Sequence, residues 1–156
     1  MIQKAFITQW GTVVPWSSPR LVEQDLIICR ALVSIFSDTF LKEHLAFRGG
    51  TTLHKLYLEP QPRYSEDIDL VQVNAEPIKE TMDHLREALS WLGEPVVKQK
   101  KHNNTLVFRI QPTDCVITIL RMINDEVLSP TCHHLHLCFY RYHLLALPID
   151  SQMIQF

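Results

Sequence analysis

Glycine is scarce in this chain, and lysine stops early. Only four glycines occur in 156 residues, all between Gly11 and Gly93, and the seven lysines lie between Lys4 and Lys101. The last 55 residues contain neither. Turns recruit glycine because it tolerates positive φ, so fold reasoning is firmest up to about Ile110. Cysteine is sparse too: Cys29, Cys115, Cys132 and Cys138 do not make a disulfide framework in a chain this long. No apolar run approaches the roughly 18 residues of a membrane span. Met1 to Trp16 carries one lysine and no compact apolar block ending in small residues, so no signal peptide is expected and the location expected is cytoplasmic. A formal charge of −2 excludes a polycationic nucleic-acid coat or membrane-surface binder. The sequence is 46% hydrophobic and 21% charged, which suits a globular chain with a buried core. The expected organisation is a core over 1–125 and an atypical tail over 126–156.

Ser18-Pro19 opens the first clear element, since serine can cap and proline suits the first helical position. Val22, Leu26, Ala31, Val33, Phe36 and Phe40 fit one helix face over about five turns, with Glu23, Asp25 and Arg30 mainly on the other. Leu45-Ala46-Phe47 reads as a short strand ending at Arg48-Gly49-Gly50-Thr51. Thr52 to Leu58 reads as a short helix stopped by Pro60 and Pro62. Glu66 to Val71 alternates carboxylate and aliphatic residues, a strand pattern. Ile78, Met82, Leu85, Leu89 and Leu92 form a helical stripe closed by Gly93. Val96–Lys100 and Thr105–Ile110 suggest a hairpin around His102-Asn103-Asn104, and Cys115–Ile123 suggests another strand.

Two neighbouring features carry chemistry. In the first, a strand runs through Gly49-Gly50-Thr51 into a helix. Glycines let backbone approach a ligand, the leading helix amides face an anion, and Thr51 offers a hydroxyl to a phosphate oxygen. In the second, Asp67 and Asp69 stand at i and i+2 of a strand and so share a face. Two adjacent carboxylates repel unless a cation lies between them, and Mg²⁺ commonly takes one or two carboxylates plus phosphate oxygens. Lys55 and Arg63 could pair with phosphate charge. Taken singly, a Gly-Gly-Thr is usually a turn, and Ser65, Arg63 and Lys55 could be a strand-entry cap, a partner for Glu66 and a solvated lysine. The combination in this order is what points to a nucleotide.

Phe47-Arg48-Gly49-Gly50-Thr51-Thr52-Leu53-His54-Lys55-Leu56-Tyr57, followed by Arg63-Tyr64-Ser65-Glu66-Asp67-Ile68-Asp69-Leu70, strongly resembles the AbiEii/AbiGii-type nucleotidyltransferase toxin family, within the DNA polymerase β-like nucleotidyltransferase superfamily. The resemblance implies an α/β (α+β) fold with a mixed sheet flanked by helices. It implies Mg²⁺ (or Mn²⁺), an NTP substrate, and transfer of a nucleotidyl group to RNA, such as tRNA, or to protein. It also implies a cognate antitoxin. Carried over, Asp67 and Asp69 are the catalytic, metal-binding pair, and Gly49, Gly50, Thr51, Lys55, Arg63 and Ser65 surround the phosphates. Family members usually continue into a helical second half and place an acidic residue on a later strand. Here the nearest match, Leu120 to Asn124, has Met122 at that place. The alternative is therefore a truncated, non-catalytic member that keeps the fold and acts through nucleotide binding or protein association, including association with itself through Phe139, Tyr140, Leu144 and Leu145.

Cys132, His134, His136 and Cys138 would share one face of a strand. They are zinc-type ligands, but four in a row on a straight strand cannot wrap a tetrahedron, so a partly buried strand or a poorly specified tail is the expected reading. Lys98, Lys100, Lys101 and Arg109 could form a basic face for tRNA phosphates or an acidic partner. The plainer reading is edge-strand lysines that discourage pairing.

Overall fold

Pro19 starts the longest helix, and Asp38 decides where it stops. In a computed structural model, residues 2–58, 61–100, 103–110 and 115–123 are described, 103 and 115–123 by backbone alone. Helix α1 (Lys4–Trp10) precedes α2 (Pro19–Ser37), with proline in the first turn of α2. Asp38 is extended (φ −72°, ψ 124°), and its Oδ1 accepts a 2.8 Å bond from the Leu41 amide. Aspartate favours such N-caps because its carboxylate satisfies a leading helix amide. A separate helix α3 (Thr39–His44) therefore begins there, and Phe40 belongs to it rather than to the long helix expected from periodicity.

Strand β1 (Leu45–Arg48) follows, then α4 (Gly49–Leu56), β2 (Asp67–Gln72) and α5 (Ile78–Ala88). The two glycines thus begin α4 rather than forming a loop before it. A 3₁₀ turn at Ser90–Leu92 ends at Gly93, whose φ of +87° suits the residue that closes the helical segment. The hairpin is β3 (Val96–Lys100) and β4 (Asn103–Ile110), with Lys100 opposite Asn103, so Asn103 and Asn104 are strand residues. Strand β5 (Cys115–Ile123) lies centrally.

The five strands form one mixed sheet in the order β1-β2-β5-β4-β3, with β2 and β5 parallel and the other neighbours antiparallel. Leu45, Phe47, Ile68, Leu70, Leu106 and Phe108 pack from one sheet face against Ile27, Ile28 and Ile35 of α2, Leu41 of α3 and Leu85 of α5. Full burial of side chains this large is worth about 1.5–3 kcal/mol each. Helix α2 is covered by α1 as well as by the sheet side, so Glu23 and Asp25 are buried, not on a solvent face. Among the described residues, no helix is long and apolar enough to cross a membrane. Lys101, the Cys132–Cys138 cluster and the tail over 126–156 lie outside the described residues.

Asp38 also joins α3 to α5: its Oδ2 lies 3.0 Å from His84 Nδ1. The Phe40 ring stacks between His44 and His84, with centroid distances of 3.9 and 4.3 Å. The bond to Asp38 raises the His84 pKa above its ordinary 6.5 against desolvation, the next largest effect, and the charges of Asp38, Glu87 and Glu80 add to the rise. Burial alone would raise the Asp38 carboxyl, but bonds from the Leu41 amide and His84 outweigh it and hold Asp38 below its ordinary 3.8. A raised histidine stabilises the fold fully below its ordinary value, and the effect fades as pH climbs through the raised one. A lowered aspartate stabilises fully above its ordinary value, and the effect fades as pH falls through the lowered one. The pair therefore contributes most between about pH 4 and 6.5. We expect the melting temperature lost in His84→Gln to be larger at about pH 5.5 than at about pH 8; an equal loss at both would reject the linkage.

Candidate active site

Alternation along β2 builds the acidic half of the site. Ile68 and Leu70 are fully buried in the core, which turns Asp67 and Asp69 to the opposite face; Asp67 is exposed and Asp69 half-buried. In register, Asp69 lies opposite Arg48 of β1, and Asp67 opposite Thr118 of β5.

The glycine half meets it directly. Gly49 has φ +84°, and a Cβ there would run into the Asp69 carboxylate. A Cβ on Gly50 would lie 2.7 Å from Arg63 Nη2, so the guanidinium rests on the turn. Gly49 is therefore required by close approach and by backbone angle, whereas at Gly50 the atom in the way is the far end of a flexible arginine. Arg48, at the N-cap position of α4, supplies no side-chain cap, so the leading amides of α4 face the side on which the Asp69 carboxylate lies.

Thr51 does a different job from the one its sequence position suggests. It is buried, its hydroxyl donates to the Asp67 carbonyl at 2.6 Å, and it bonds with Ser65 Oγ. The two hydroxyls brace α4 against the entry to β2. Lys55 also departs from the expected solvent-facing phosphate contact. Its Nζ lies 2.8 Å from Asp25 Oδ1 and 3.3 Å from Cys29 Sγ, and the Lys55 and Asp25 side chains are each only 1% exposed. The reason is packing: Thr51, Thr52 and Lys55 form the buried side of α4. Trp10 Nε1 donates to the other Asp25 oxygen at 2.9 Å, so one carboxylate ties α1 and α4 to α2. Burial pushes the Cys29 thiol up to about 11 despite the opposing Lys55 charge, so the thiol is neutral.

Asp25 and His54 are the residues that sequence reasoning passed over. Asp25 had a signal, since a carboxylate inside an apolar helical run must be paired if buried. Only the placement of α1 and α4 supplies its partners.

No group of three or more His, Cys, Asp and Glu side chains among the described residues is placed to hold a metal ion. Strand β5 contains neither Asp nor Glu. A cation here would rest on Asp67 and Asp69, with remaining ligands from phosphate and water; Mg²⁺ accepts that set.

The family model described as "Nucleotidyl transferase AbiEii toxin, Type IV TA system" matches residues 30–114, more than half of the chain. The chain belongs to the AbiEii nucleotidyltransferase toxin family. The matched segment of this AbiEii protein runs from within α2 to beyond β4 and contains the glycine turn, Lys55, Arg63, Ser65 and the Asp67–Asp69 pair, while Trp10, Asp25, Cys29 and Thr118 lie outside it. Among solved structures, the chain is similar to MenT4, a nucleotidyltransferase toxin from Mycobacterium tuberculosis H37Rv, at 16% identity and a TM-score of 0.48. That match covers 80% of this chain and 44% of the MenT4 chain. No curated protein matches.

Proposed function

We propose that the chain is a metal-dependent nucleotidyltransferase toxin that moves a nucleotidyl group from an NTP to an RNA hydroxyl, tRNA being the first acceptor to test. One observation carries the reading: the Asp69 carboxylate lies against a glycine that has no room for a Cβ, with Asp67 on the same strand face. That contact sets an acidic pair beside the start of α4, where a triphosphate and its cation can meet.

Asp67 and Asp69 would hold Mg²⁺ or Mn²⁺. The bound ion supplies charge neutralisation on the phosphates and a lowered pKa for the attacking hydroxyl. The α4 amides and Arg63 bind phosphate oxygens. The acceptor hydroxyl would attack the α-phosphorus and lose its proton to solvent, as the bond from the α-phosphorus to the bridging oxygen breaks and pyrophosphate leaves. Thr51 and Ser65 keep the turn and the acidic strand in register.

An RNA acceptor is favoured over a protein one by charge. Lys98, Lys100 and Arg109 are exposed, and by register they share the sheet face of Asp67 and Asp69. Three strand spacings separate β3 from β2, about 14 Å, a span that phosphates of one RNA can bridge. The family's description as a type IV toxin–antitoxin component supports a cognate antitoxin.

The test incubates purified chain with Mg²⁺ and each α-labelled NTP in turn, with and without tRNA. Wild type should label tRNA. The Asp67→Asn, Asp69→Asn double variant should lose about 10³-fold or more, the several kcal/mol that a metal clamp supplies. Labelling that survives in the double variant rejects the metal assignment. Label confined to the protein itself rejects the RNA acceptor.

A further inference from the structure

We propose that His54 is a positioning residue that holds the Arg63 guanidinium over the glycine turn before nucleotide arrives. The proposal rests on the nucleotidyl-transfer reading above and adds a residue to it. Gly50 and His54 are four residues apart on α4, so they lie one above the other on the same flank. Arg63 runs along that flank. Its Nε lies 2.7 Å from His54 Nε2, while a Cβ on Gly50 would be 2.7 Å from its Nη2 and 3.9 Å from its Cζ.

Arginine only donates hydrogen bonds. His54 Nε2 must therefore be the acceptor, and the neutral ring carries its proton on Nδ1. That nitrogen is buried and has no hydrogen-bond partner among the described residues, so the one bond His54 makes through its ring is the one to Arg63. The guanidinium is divided between two tasks: Nε is engaged by His54, and the Nη edge is laid on the turn. The next residue, Tyr64, meets Trp16 edge-on at 5.4 Å, which steadies the same segment. A free arginine side chain carries rotamer entropy that a ligand must otherwise overcome. Prior fixation lets the phosphate meet a donor already in place. Lysine at position 63 has a single charged nitrogen and could not make both contacts.

The test measures KM and kcat for Mg²⁺–NTP with tRNA as acceptor, together with melting temperature. His54→Leu should raise KM about tenfold and leave kcat within about twofold, the size of one lost preorganising bond. His54→Gln, whose amide oxygen can still accept from Arg63, should restore most of the wild-type KM. Arg63→Lys should resemble His54→Leu, and the two changes together should cost no more than either alone. ¹⁵N spectra should show His54 Nε2 unprotonated in wild type and shifted in Arg63→Met. An unchanged KM in His54→Leu overturns the assignment, as does a Gln variant no better than Leu. Wild-type chain that transfers no label overturns the nucleotidyl-transfer reading, and the positioning role with it.

Discussion

Asp25→Ala should cost about 3–5 kcal/mol of folding stability, a large share of the 5–15 kcal/mol a small domain holds. Asp25 is 1% exposed and accepts from both Trp10 and Lys55. Removing it takes away the carboxylate that lies 2.8 Å from the buried Lys55 ammonium, and the Cys29 thiol, pushed up to about 11 by burial, stays neutral and cannot replace that charge. Breaking a buried ion pair from one side is far costlier than replacing both partners by apolar groups. The second variant therefore separates the causes: Asp25→Leu with Lys55→Met should recover much of the loss. Urea unfolding of the four corners of that cycle measures it. A loss below about 1 kcal/mol in Asp25→Ala would mean that the pair is solvated. The same experiment bears on activity, because Lys55 anchors the helix that carries the glycine turn.

Gly49→Ala should reduce nucleotidyl transfer by about 100-fold or more while lowering stability by only about 1–2 kcal/mol. Two effects combine at this residue. The backbone angle, φ +84°, is one that alanine adopts only with strain, and the added methyl would collide with the Asp69 carboxylate. The second effect reaches the chemistry, since it displaces an acidic group by a distance comparable to a bond length. Gly93 provides the control. Its φ is +87°, yet a Cβ there would meet nothing within 4 Å. Gly93→Ala should cost similar stability and leave transfer unchanged. Equal activity losses in the two alanine variants would show that the contact with Asp69 does not matter.

The alternation of Asp67 and Asp69 with Ile68 and Leu70 was readable because a strand has period two, and burial of one set dictates exposure of the other. The strands at Leu45, Glu66–Val71, Val96 and Cys115 were readable for related reasons. The break at Asp38 was harder to read. Apolar spacing continued through Phe40, and only the cap formed with the Leu41 amide shows that two helices meet there. The buried faces of α2 show the same limit. Periodicity assigns one side to solvent, whereas α1 covers the side that holds Asp25.

Around the glycine turn the division is sharper. The order of residues by itself determined which groups were available: the leading amides of a helix, an acidic pair on one strand face, and a nearby arginine. Those depend on short-range geometry, which neighbouring residues dictate. The tertiary structure alone decided how three polar side chains are used. Thr51 closes onto the Asp67 carbonyl, Lys55 turns inward to Asp25, and Arg63 is held by His54. Each choice joins segments about 9 to 30 residues apart along the chain, and such a pairing is set by how α4 packs between its neighbours rather than by any local pattern.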